Sequence, residues 1–427
     1  MRAGPGASGA AHRPCGPTPD AAYREAVSTP DLAALVDGMR RALDGGPPVA
    51  PLPRLTAHVP PSGTALVVRT SGSTGTPREV ALSAAALRAS AAATADRLGA
   101  PGRWVLTLPA THVAGMQVIA RSLLAGTPLT AAGGGPFTPG GLADLLAGPL
   151  AGDDPVHVSL VPTQLHRVVE AADGGAPAAL DALARCGAVL LGGAATPPRL
   201  LERARDAGVP VVRTYGMSET AGGCVYDGVP LPGVRVRLAP VDEEAGVVEI
   251  AGPVLATGYL GDDVATAAAF VDGPDGRWFR TSDLGAVDGG VLRVVGRADD
   301  VVVTGGVNVA PAAVEAVLGE LLAAEVCVVG VPHDEWGQEL VAVLTAAVGA
   351  RRAVGPSGST ARRAPTAAEE WGDRAQLARV RSAVAARLGP AAAPRRILRV
   401  EALPLRGPGK VDRAAVVDLV RAHAARD

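Results

Sequence analysis

One short segment of the sequence combines four hydroxyl side chains with two glycines, directly after a run of β-branched residues. The run is ALVVRT (65–70), and the segment consists of Thr70, Ser71, Gly72, Ser73, Thr74 and Gly75. Glycines let a backbone approach an anion closely, and hydroxyl and backbone N–H groups can then donate hydrogen bonds to it. The segment therefore predicts a polyphosphate-binding loop, with an ordinary polar turn as the alternative. It is not a Walker A loop, because the sequence lacks GxxxxGK followed by Ser or Thr.

A second polar segment, YGMSET (215–220), ends another run of β-branched residues. An aromatic ring in this place can stack on a base, a hydroxyl can reach a phosphate, and a carboxylate can hold Mg²⁺ between phosphate oxygens. Ligands of open α/β sheets bind beyond the carboxyl ends of the strands, so the two segments are predicted to meet at one crevice. The alternative for Glu219 is a solvated acid that the dipole of a following helix stabilises.

Three charged residues farther along the chain complete the candidate chemistry. Asp283 in RTSDLG can accept both hydroxyls of a ribose, and Arg297 in VGRADD lies at the end of a predicted strand. Lys410 in PGKVDR stands on a Gly/Pro-flanked loop that can deliver a point charge to a reacting phosphate. The alternative for all three residues is an ordinary charge on the protein surface, and Asp283 would then lie in a turn. Lys410 carries more weight than usual because the chain contains no other lysine.

The elements that position these residues alternate between short β-branched runs and Ala/Leu-rich helical stretches. After the first strand come a helix candidate at 82–99 and further strand candidates at 104–109, 156–162, 187–193 and 209–216. This alternation predicts a mostly parallel sheet covered by helices. Residues 234–296 change to short alternating strands with turn residues between them, which predict an antiparallel subdomain. The pattern beyond residue 300 predicts a compact α+β unit.

The sequence therefore predicts an α/β fold with two domains. The large N-terminal domain (26–298) contains helix-covered sheets and the small antiparallel β subdomain, and the small C-terminal domain (299–427) is α+β. Residues 1–25 are rich in Gly, Pro and Ala and are predicted to be disordered. Residues 349–372 lack periodicity and are rich in Arg, Ala and Pro, which predicts a flexible insertion.

Composition excludes several classes of function. The formal net charge is −2 and no long stretch is strongly basic, so nucleic acid is not expected as a partner. The four cysteines are scattered without a CxxC pair, which argues against a zinc site or a disulfide framework and suits a reducing cytosol. The N-terminus lacks the apolar region of a signal peptide, and no uncharged apolar run approaches the roughly 18 residues that cross a bilayer. We therefore expect a cytoplasmic protein without membrane insertion.

Five motifs, taken in chain order, resemble those of the adenylate-forming superfamily, which includes acyl-CoA synthetases, luciferases and peptide-synthetase adenylation domains. The motifs are TSGSTGTPR, YGMSET, RTSDLG, GRADDVVVTGGVNVAP and GPGKVDR, between residue 70 and residue 413. The resemblance implies an enzyme that uses ATP and Mg²⁺ to activate a carboxylic acid as an acyl-adenylate, with release of pyrophosphate. It further implies transfer of the acyl group to coenzyme A, and a C-terminal domain that is mobile.

The resemblance also implies roles for individual residues. The 70–75 loop would hold the β- and γ-phosphates, Asp283 and Arg297 would bind ribose, and Glu219 would bind Mg²⁺ while Thr220 addresses the α-phosphate. Four residues would frame adenine, namely Gly192, Gly193, Ala194 and Tyr215. Gly216, the next residue, would line both the ATP site and the binding site of the substrate acid. Lys410 would reach the active site only for adenylation, Asp299 would be the hinge, and the Gly305–Gly306 loop would face the site for thioester formation.

The phosphate loop departs from the pattern of these relatives. It often ends in GKPKG, whereas this sequence has Gly75, Thr76, Pro77, Arg78 and Glu79. The missing lysine at position 76 and the nearby Glu79 are expected to weaken ATP binding, and Arg78 is the residue that could compensate.

Within the superfamily, residues 108–126, 157–168 and 215–234 look most like the o-succinylbenzoate–CoA ligases of menaquinone synthesis. That resemblance adds His112 to the catalytic set and places Ser159 in the acid pocket. It also puts Arg121, nine residues after His112, near the second carboxylate of the substrate, which an arginine can bind with two hydrogen bonds. At about 100° per residue the two side chains would lie on opposite helix faces. That objection does not apply if Thr111 caps the helix or if Gly115 loosens the start of the helix. Arg167 is the reserve candidate for binding the second carboxylate.

Other readings stay open at this point. The chain could be another aryl- or fatty-acyl–CoA ligase, or a stand-alone adenylation enzyme that loads a carrier protein. A nucleotide-binding pseudoenzyme is a more distant alternative, motivated by the altered phosphate loop. The sequence leaves open whether the protein forms a homodimer.

Overall fold

A computed structural model of the protein describes residues 31–70, 77–132, 135–241, 245–345, 368–406 and 410–424. The predicted disordered N-terminus (1–25) and the loop residues 71–75 lie outside these ranges, as does most of the predicted insertion at 349–372. The described residues form several sheets flanked by helices, and the predicted α/β fold class is confirmed.

Several helices of the described residues begin at a capping side chain. In one example, the Ser83 hydroxyl accepts a hydrogen bond from the Ala86 N–H, and left-handed Gly99 ends the same helix. The α-helices are α1 Leu32–Leu43, α2 Ala84–Leu98, α3 Val113–Ala125, α4 Pro139–Ala147, α5 Pro162–Asp173, α6 Ala178–Ala184, α7 Pro198–Asp206, α8 Asp263–Ala269, α9 Pro311–Leu322, α10 Arg374–Leu388 and α11 Arg413–Ala424.

The strands divide into a large mixed sheet and several smaller antiparallel or mixed sheets. In chain order they are β1 Thr64–Thr70, β2 Arg78–Ser83, β3 Arg103–Leu106, β4 Thr130–Ala131, β5 Val156–Leu160, β6 Ala188–Leu191, β7 Val211–Met217, β8 Gly222–Tyr226, β9 Val229–Pro230, β10 Arg235–Pro240, β11 Gly246–Ala251, β12 Gly258–Tyr259, β13 Phe270–Gly273, β14 Gly276–Asp288, β15 Val291–Arg297, β16 Val302–Thr304, β17 Val307–Val309, β18 Val326–His333, β19 Gly337–Thr345, β20 Glu369–Glu370, β21 Arg396–Val400, β22 Leu405–Arg406 and β23 Lys410–Val411.

The large sheet has the order β4-β3-β5-β6-β7-β8-β9. Its first five strands are parallel, as the sequence predicts, and β8 and β9 return antiparallel to them. Successive residues of β6 alternate between two apolar cores, with Val189 on the face covered by α4 to α7 and Leu190 on the face covered by α1 to α3. Helices therefore cover both faces, which explains why β5 is buried at every position.

The strand at 65–70 does not belong to the parallel sheet, which corrects the prediction. β1 pairs antiparallel with β2, and β2 pairs with β12, in a separate three-stranded sheet. β2 was not predicted, because its six residues follow the polar loop directly and its last two, Leu82 and Ser83, fall within the helix candidate at 82–99. The consequence is that residues 71–77 connect two paired strands of one hairpin.

The predicted antiparallel subdomain is present, with the order β10-β11-β14-β13 and β15 paired to β14. Its longest strand, β14, was not predicted. Asp283 lies inside β14, opposite Arg297 of β15, and not in a turn. This placement fixes both side chains on a paired, regular backbone.

A fourth sheet follows the short link at residues 298–301, with the order β17-β16-β19-β21-β20 and β18 paired to β19. Gly305 and Gly306 form the two-residue turn between β16 and β17, with φ values of 57° and 78°. Two successive positive φ angles are typical of the tight hairpin turns that favour glycine. The domain boundary near residue 298 stays a prediction.

Among the residues that the structure describes, no helix is long and apolar enough to span a bilayer.

Candidate functional site

The predicted phosphate loop begins and ends on a paired hairpin. Thr70 of β1 lies opposite Arg78 of β2, so the ends of the loop are held together. The loop residues Ser71, Gly72, Ser73, Thr74 and Gly75 lie outside the described residues. The hairpin nevertheless places the start and end of the loop at the same end of this sheet.

Arg78 points toward an acidic and aromatic group of side chains. Its guanidinium carbon lies 5.2 Å from the centre of the Tyr259 ring, and its Nε lies 3.6 Å from an Asp262 carboxylate oxygen. The positive charge of Arg78 also acts on Glu219. Arg78 therefore supplies a cation directly after the loop.

The Glu79 side chain faces away from Arg78, and its negative charge is paired with Arg54. Its buried carboxylate accepts hydrogen bonds from Arg54 Nε at 2.8 Å, from Leu55 N–H at 2.7 Å and from Thr56 Oγ1 at 2.8 Å. Burial by itself raises the pKa of Glu79, but these hydrogen bonds together outweigh it and lower the pKa. Glu79 therefore anchors the 54–56 segment, and the expected repulsion between its charge and ATP finds no support in this geometry.

Glu219 is a buried acid at the carboxyl end of β7. It lies in the short 3₁₀ helix Ser218–Thr220, and its Oε1 accepts a hydrogen bond of 2.9 Å from the Tyr259 hydroxyl. Burial raises the pKa of Glu219, while the Tyr259 hydroxyl and the Arg78 charge act in the opposite direction. The alternative of a solvated surface acid is therefore wrong.

Thr220 and Ser218 differ in a way that the sequence did not reveal. Thr220 is fully buried, and its hydroxyl donates to the Gly222 carbonyl at 2.8 Å and accepts from the Met217 N–H at 3.0 Å. This hydroxyl closes the turn, so we expect a structural role for it instead of the predicted α-phosphate contact. Ser218 is half-exposed at the same end of β7 and is the better placed hydroxyl.

Two glycines at the carboxyl ends of β6 and β7 leave no space for side chains. A Cβ on Gly192 would lie 2.3 Å from Thr214 Oγ1, and one on Gly216 would lie 2.1 Å from the Gly222 carbonyl oxygen. Gly193 and Ala194 follow Gly192 on an exposed loop. The close approach of the neighbouring strands therefore requires glycine at positions 192 and 216.

Tyr215, Asp283 and Arg297 form one connected group. The Tyr215 hydroxyl donates a 2.7 Å hydrogen bond to Asp283 Oδ2, and Arg297 lies 3.4 Å from Asp283 Oδ1. Burial raises the pKa of the Tyr215 hydroxyl, and the adjacent Asp283 charge raises it further. The tyrosine is therefore a firm donor, which fixes the carboxylate of Asp283.

Arg297 also holds the predicted hinge. Its Nε and a terminal nitrogen donate to the two oxygens of Asp299 at 2.8 and 2.7 Å, in a bidentate pair. The next residue, Asp300, lies 3.3 Å from Arg413, which also binds Glu315 of α9 at 2.7 Å. Charged pairs therefore hold the 298–301 link from both sides, with Asp299 bound by Arg297 and Asp300 bound by Arg413.

Lys410 begins the two-residue strand β23, which pairs with β22 three residues before Arg413. The Lys410 side chain lies outside the described residues. Gly305 packs against Trp336, because a Cβ on this glycine would lie 2.8 Å from the Trp336 ring. The predicted roles of Lys410 and of the Gly305–Gly306 loop remain predictions.

His112 is the N-cap of α3 and has an extended backbone, so it lies outside the helix. The helical-wheel objection to Arg121 therefore does not apply. Thr111 does not cap α3, because His112 is the N-cap and the Thr111 hydroxyl bonds to His112 Nδ1 at 3.0 Å. Gly115 allows α3 to touch the preceding loop, since a Cβ there would lie 2.3 Å from the Pro109 carbonyl oxygen.

Arg121 is a buried cation whose polar contacts are few. It is 6% exposed, its guanidinium stacks 4.8 Å from the Trp104 ring, and one terminal nitrogen lies 3.4 Å from the Tyr226 hydroxyl. Its Nε has no hydrogen-bond partner among the described residues. Arg167, the reserve candidate, is exposed on α5. A buried charge of this kind favours an anionic ligand.

Ser159 is buried in β5, and its carbonyl accepts a hydrogen bond from Thr107 in the loop that precedes α3. Ser159 lies beside Leu190 of β6, near the carboxyl ends of both strands. The loop before α3 and the strand ends therefore enclose the same region.

Residues 17–260 match the model of the family described as AMP-binding enzyme. Residues 313–410 match the model described as the AMP-binding enzyme C-terminal domain.

Two relatives from Mycobacterium tuberculosis differ in the acid that their names state. The chain is 43% identical over 362 residues to a probable 2-succinylbenzoate–CoA ligase, covering 83% of this chain and 84% of the relative. It is 31% identical over 435 residues to the medium/long-chain-fatty-acid–CoA ligase FadD8, covering 94% of this chain and 67% of that relative.

A solved structure of the o-succinylbenzoate–CoA synthetase MenE from Bacillus subtilis, in complex with the acyl-adenylate intermediate, is similar to this fold. The TM-score is 0.65 with 25% sequence identity, over 83% of this chain and 69% of that one. A structure of the same synthetase with ATP and a magnesium ion gives a TM-score of 0.63, with 25% identity over 82% and 68% of the two chains.

Proposed function

The chain belongs to the AMP-binding enzyme family and is an acid–thiol ligase, and from this premise we propose that it converts o-succinylbenzoate into its coenzyme A thioester. The predicted membership of the adenylate-forming superfamily is confirmed. The observation that carries the choice of acid is Arg121, a buried cation with an unpartnered Nε among the described residues. A dicarboxylate substrate would supply the anion that this cation lacks.

The first proposed step is attack of a substrate carboxylate oxygen on the α-phosphorus of ATP, with pyrophosphate as the leaving group. The 70–75 loop would bind the β- and γ-phosphates, and Ser218 would reach the α-phosphate. Asp283, already oriented by Tyr215 and Arg297, would accept the ribose hydroxyls. Lys410 would add a positive charge where negative charge develops in the transition state.

Mg²⁺ fits the acidic group present here. Among the described residues, no cluster of three or more His, Cys, Asp or Glu could hold a metal ion by itself. Mg²⁺ is commonly bound by one or two carboxylates together with phosphate oxygens, and Glu219 is the buried acid in place for this. A bound Mg²⁺ would neutralise charge on the phosphates, while Tyr259 keeps the Glu219 carboxylate oriented and the Arg78 charge favours its ionised form.

The second proposed step is attack of the coenzyme A thiolate on the acyl carbon, with AMP as the leaving group. The small domain would turn about Asp299 between the steps, so that the Gly305–Gly306 loop replaces Lys410 at the site. The Arg297–Asp299 pair would have to open or rotate with the hinge, because Arg297 also contacts Asp283 of the large domain. Such exchanges of catalytic groups by domain rotation are a known way to separate two reactions.

A fatty-acyl–CoA ligase is the second candidate, because the similarity to FadD8 extends over more of the chain. An apolar chain would have no use for a buried guanidinium, which costs free energy when no anion pairs with it. The position of Arg121 therefore favours the dicarboxylate.

A panel of acids in a pyrophosphate-release assay tests this choice. We expect o-succinylbenzoate to give a kcat/KM at least about 100-fold above those of benzoate and medium-chain fatty acids, since only it offers Arg121 a second carboxylate. The assay needs ATP, Mg²⁺ and each acid in turn, with a no-acid reaction as the control. A higher kcat/KM for a fatty acid would replace o-succinylbenzoate with the second candidate.

A further inference from the structure

Two buried polar atoms lie one helical turn apart on the same face of α3. They are Oε1 of Gln117, whose residue is 1% exposed, and Nε of Arg121, whose residue is 6% exposed. Neither atom has a hydrogen-bond partner among the residues that the structure describes. One atom is an acceptor and the other a donor, and leaving either unpaired in a protein interior costs free energy.

The amide of Gln117 is fixed from its other end. Its Nε2 donates to the carbonyl of Ala221, which the Ser90 hydroxyl also contacts at 3.3 Å. Because Nε2 is held there, Oε1 must point away from the Ala221 carbonyl. The neighbouring Gly222, with φ of 95°, lies against the same side chain. A Cβ at this position would lie 3.4 Å from Gln117 Cγ.

The guanidinium of Arg121 is held less firmly than the amide. Its stacking on Trp104 leaves motion in the plane of the ring, and the 3.4 Å contact to the Tyr226 hydroxyl is long for a hydrogen bond. His157, the titratable group next to Arg121, does not compete with Arg121 for the second carboxylate, because burial lowers its pKa and the Arg121 charge lowers it further. Side chains four residues apart on a helix are neighbours, so a small rotation can bring Nε to Gln117.

We propose that Gln117 is a positioning residue for Arg121, with its Oε1 accepting the Nε–H while the guanidinium binds the second carboxylate of the substrate. This bond satisfies both buried atoms and directs the two terminal nitrogens of Arg121 to the carboxylate as a fork. The inference rests on the proposed function, because that function makes Arg121 the receptor of the substrate. Gln117 thereby contributes to the selection of a dicarboxylate without touching it.

The test compares two acids that differ in one group. These are o-succinylbenzoate and 4-oxo-4-phenylbutanoate, which has the same succinyl chain and no ring carboxylate. Gln117→Met keeps the length of the side chain and removes the acceptor. We expect it to raise KM for o-succinylbenzoate roughly tenfold, the size of one hydrogen bond to a charged group, and to change KM for the second acid less than about twofold. In an Arg121→Met background the same substitution should have no further effect.

The matched control is Ser90→Ala, which removes a hydrogen bond to the same Ala221 carbonyl and does not involve Arg121. Its KM values for both acids should equal those of the wild type. Equal changes for both acids in Gln117→Met, or a tenfold effect that persists without Arg121, would overturn the positioning role. If the wild type itself does not distinguish the two acids, the proposed function is wrong and the inference is overturned with it. Should Gln117→Met fail to fold, Gln117→Leu takes its place, because it also removes the acceptor and must again raise KM for o-succinylbenzoate alone.

Discussion

Replacing Lys410 with alanine should reduce the rate of acyl-adenylate formation on the order of 10²–10³-fold, because the transition state of attack on the α-phosphorus loses a stabilising charge. The same variant should convert preformed acyl-adenylate and coenzyme A into thioester at nearly the wild-type rate. Lys410 is the only lysine in the sequence, so no other lysine can take its place. The measurements are pyrophosphate release for the first step and single-turnover thioester formation for the second.

Lys410→Arg is the matched control for this prediction. It keeps a positive charge but replaces a compact ammonium with a planar guanidinium, so it should recover only part of the adenylation rate. Comparable losses in both steps would contradict the proposal that the small domain exchanges Lys410 for the Gly305–Gly306 loop. A loss confined to thioester formation would contradict it more strongly.

The second large effect concerns the acid. Arg121→Met should raise KM for o-succinylbenzoate on the order of 100-fold, because the second carboxylate would be buried without its cation. KM for ATP should stay unchanged, since Arg121 lies about two helical turns below the start of α3 at His112. The free energy of unfolding should fall little, because the substitution also removes an uncompensated buried charge. Steady-state kinetics with each substrate varied, and urea denaturation of both proteins, provide the measurements.

The control for Arg121 is Arg167→Met, since Arg167 is exposed on α5 and would be the alternative receptor. An unchanged KM for o-succinylbenzoate in Arg121→Met, together with a raised KM in Arg167→Met, would move the receptor to α5. A parallel rise of KM for ATP would instead indicate that the substitution distorts the site as a whole.

The sequence predicted the parallel core because its signal is local and strong. β6 is a continuous apolar run, β5 is rich in Val and Leu, and both strands are buried at every position. The hairpin of β1 and β2 was not predictable in the same way, because its pairing with β12 joins residues about 180 positions apart. Asp283 was misplaced in a turn for the same reason, since the length of β14 depends on its neighbours β11 and β15.

The sequence predicted which residues form the candidate site, but it did not predict which of them contact each other. The motifs identified Glu219, Asp283 and Arg297, but alternation along β2 was needed to see that Glu79 turns away from Arg78. The inward hydroxyl of Thr220 and the half-exposed Ser218 depend on the geometry of one 3₁₀ turn, which residue types do not encode. Gln117 carried no motif, and only its burial beside Arg121 points to a role.

The central claim is that the chain forms an acyl-adenylate and then a coenzyme A thioester from o-succinylbenzoate. Mass spectrometry of a reaction with ATP, Mg²⁺ and this acid, sampled before and after coenzyme A is added, tests it directly. We predict that o-succinylbenzoyl-AMP and pyrophosphate form first, and that coenzyme A then converts the adenylate into thioester with release of AMP. The appearance of ADP and phosphate, or of no adenylate before coenzyme A is added, would contradict the claim.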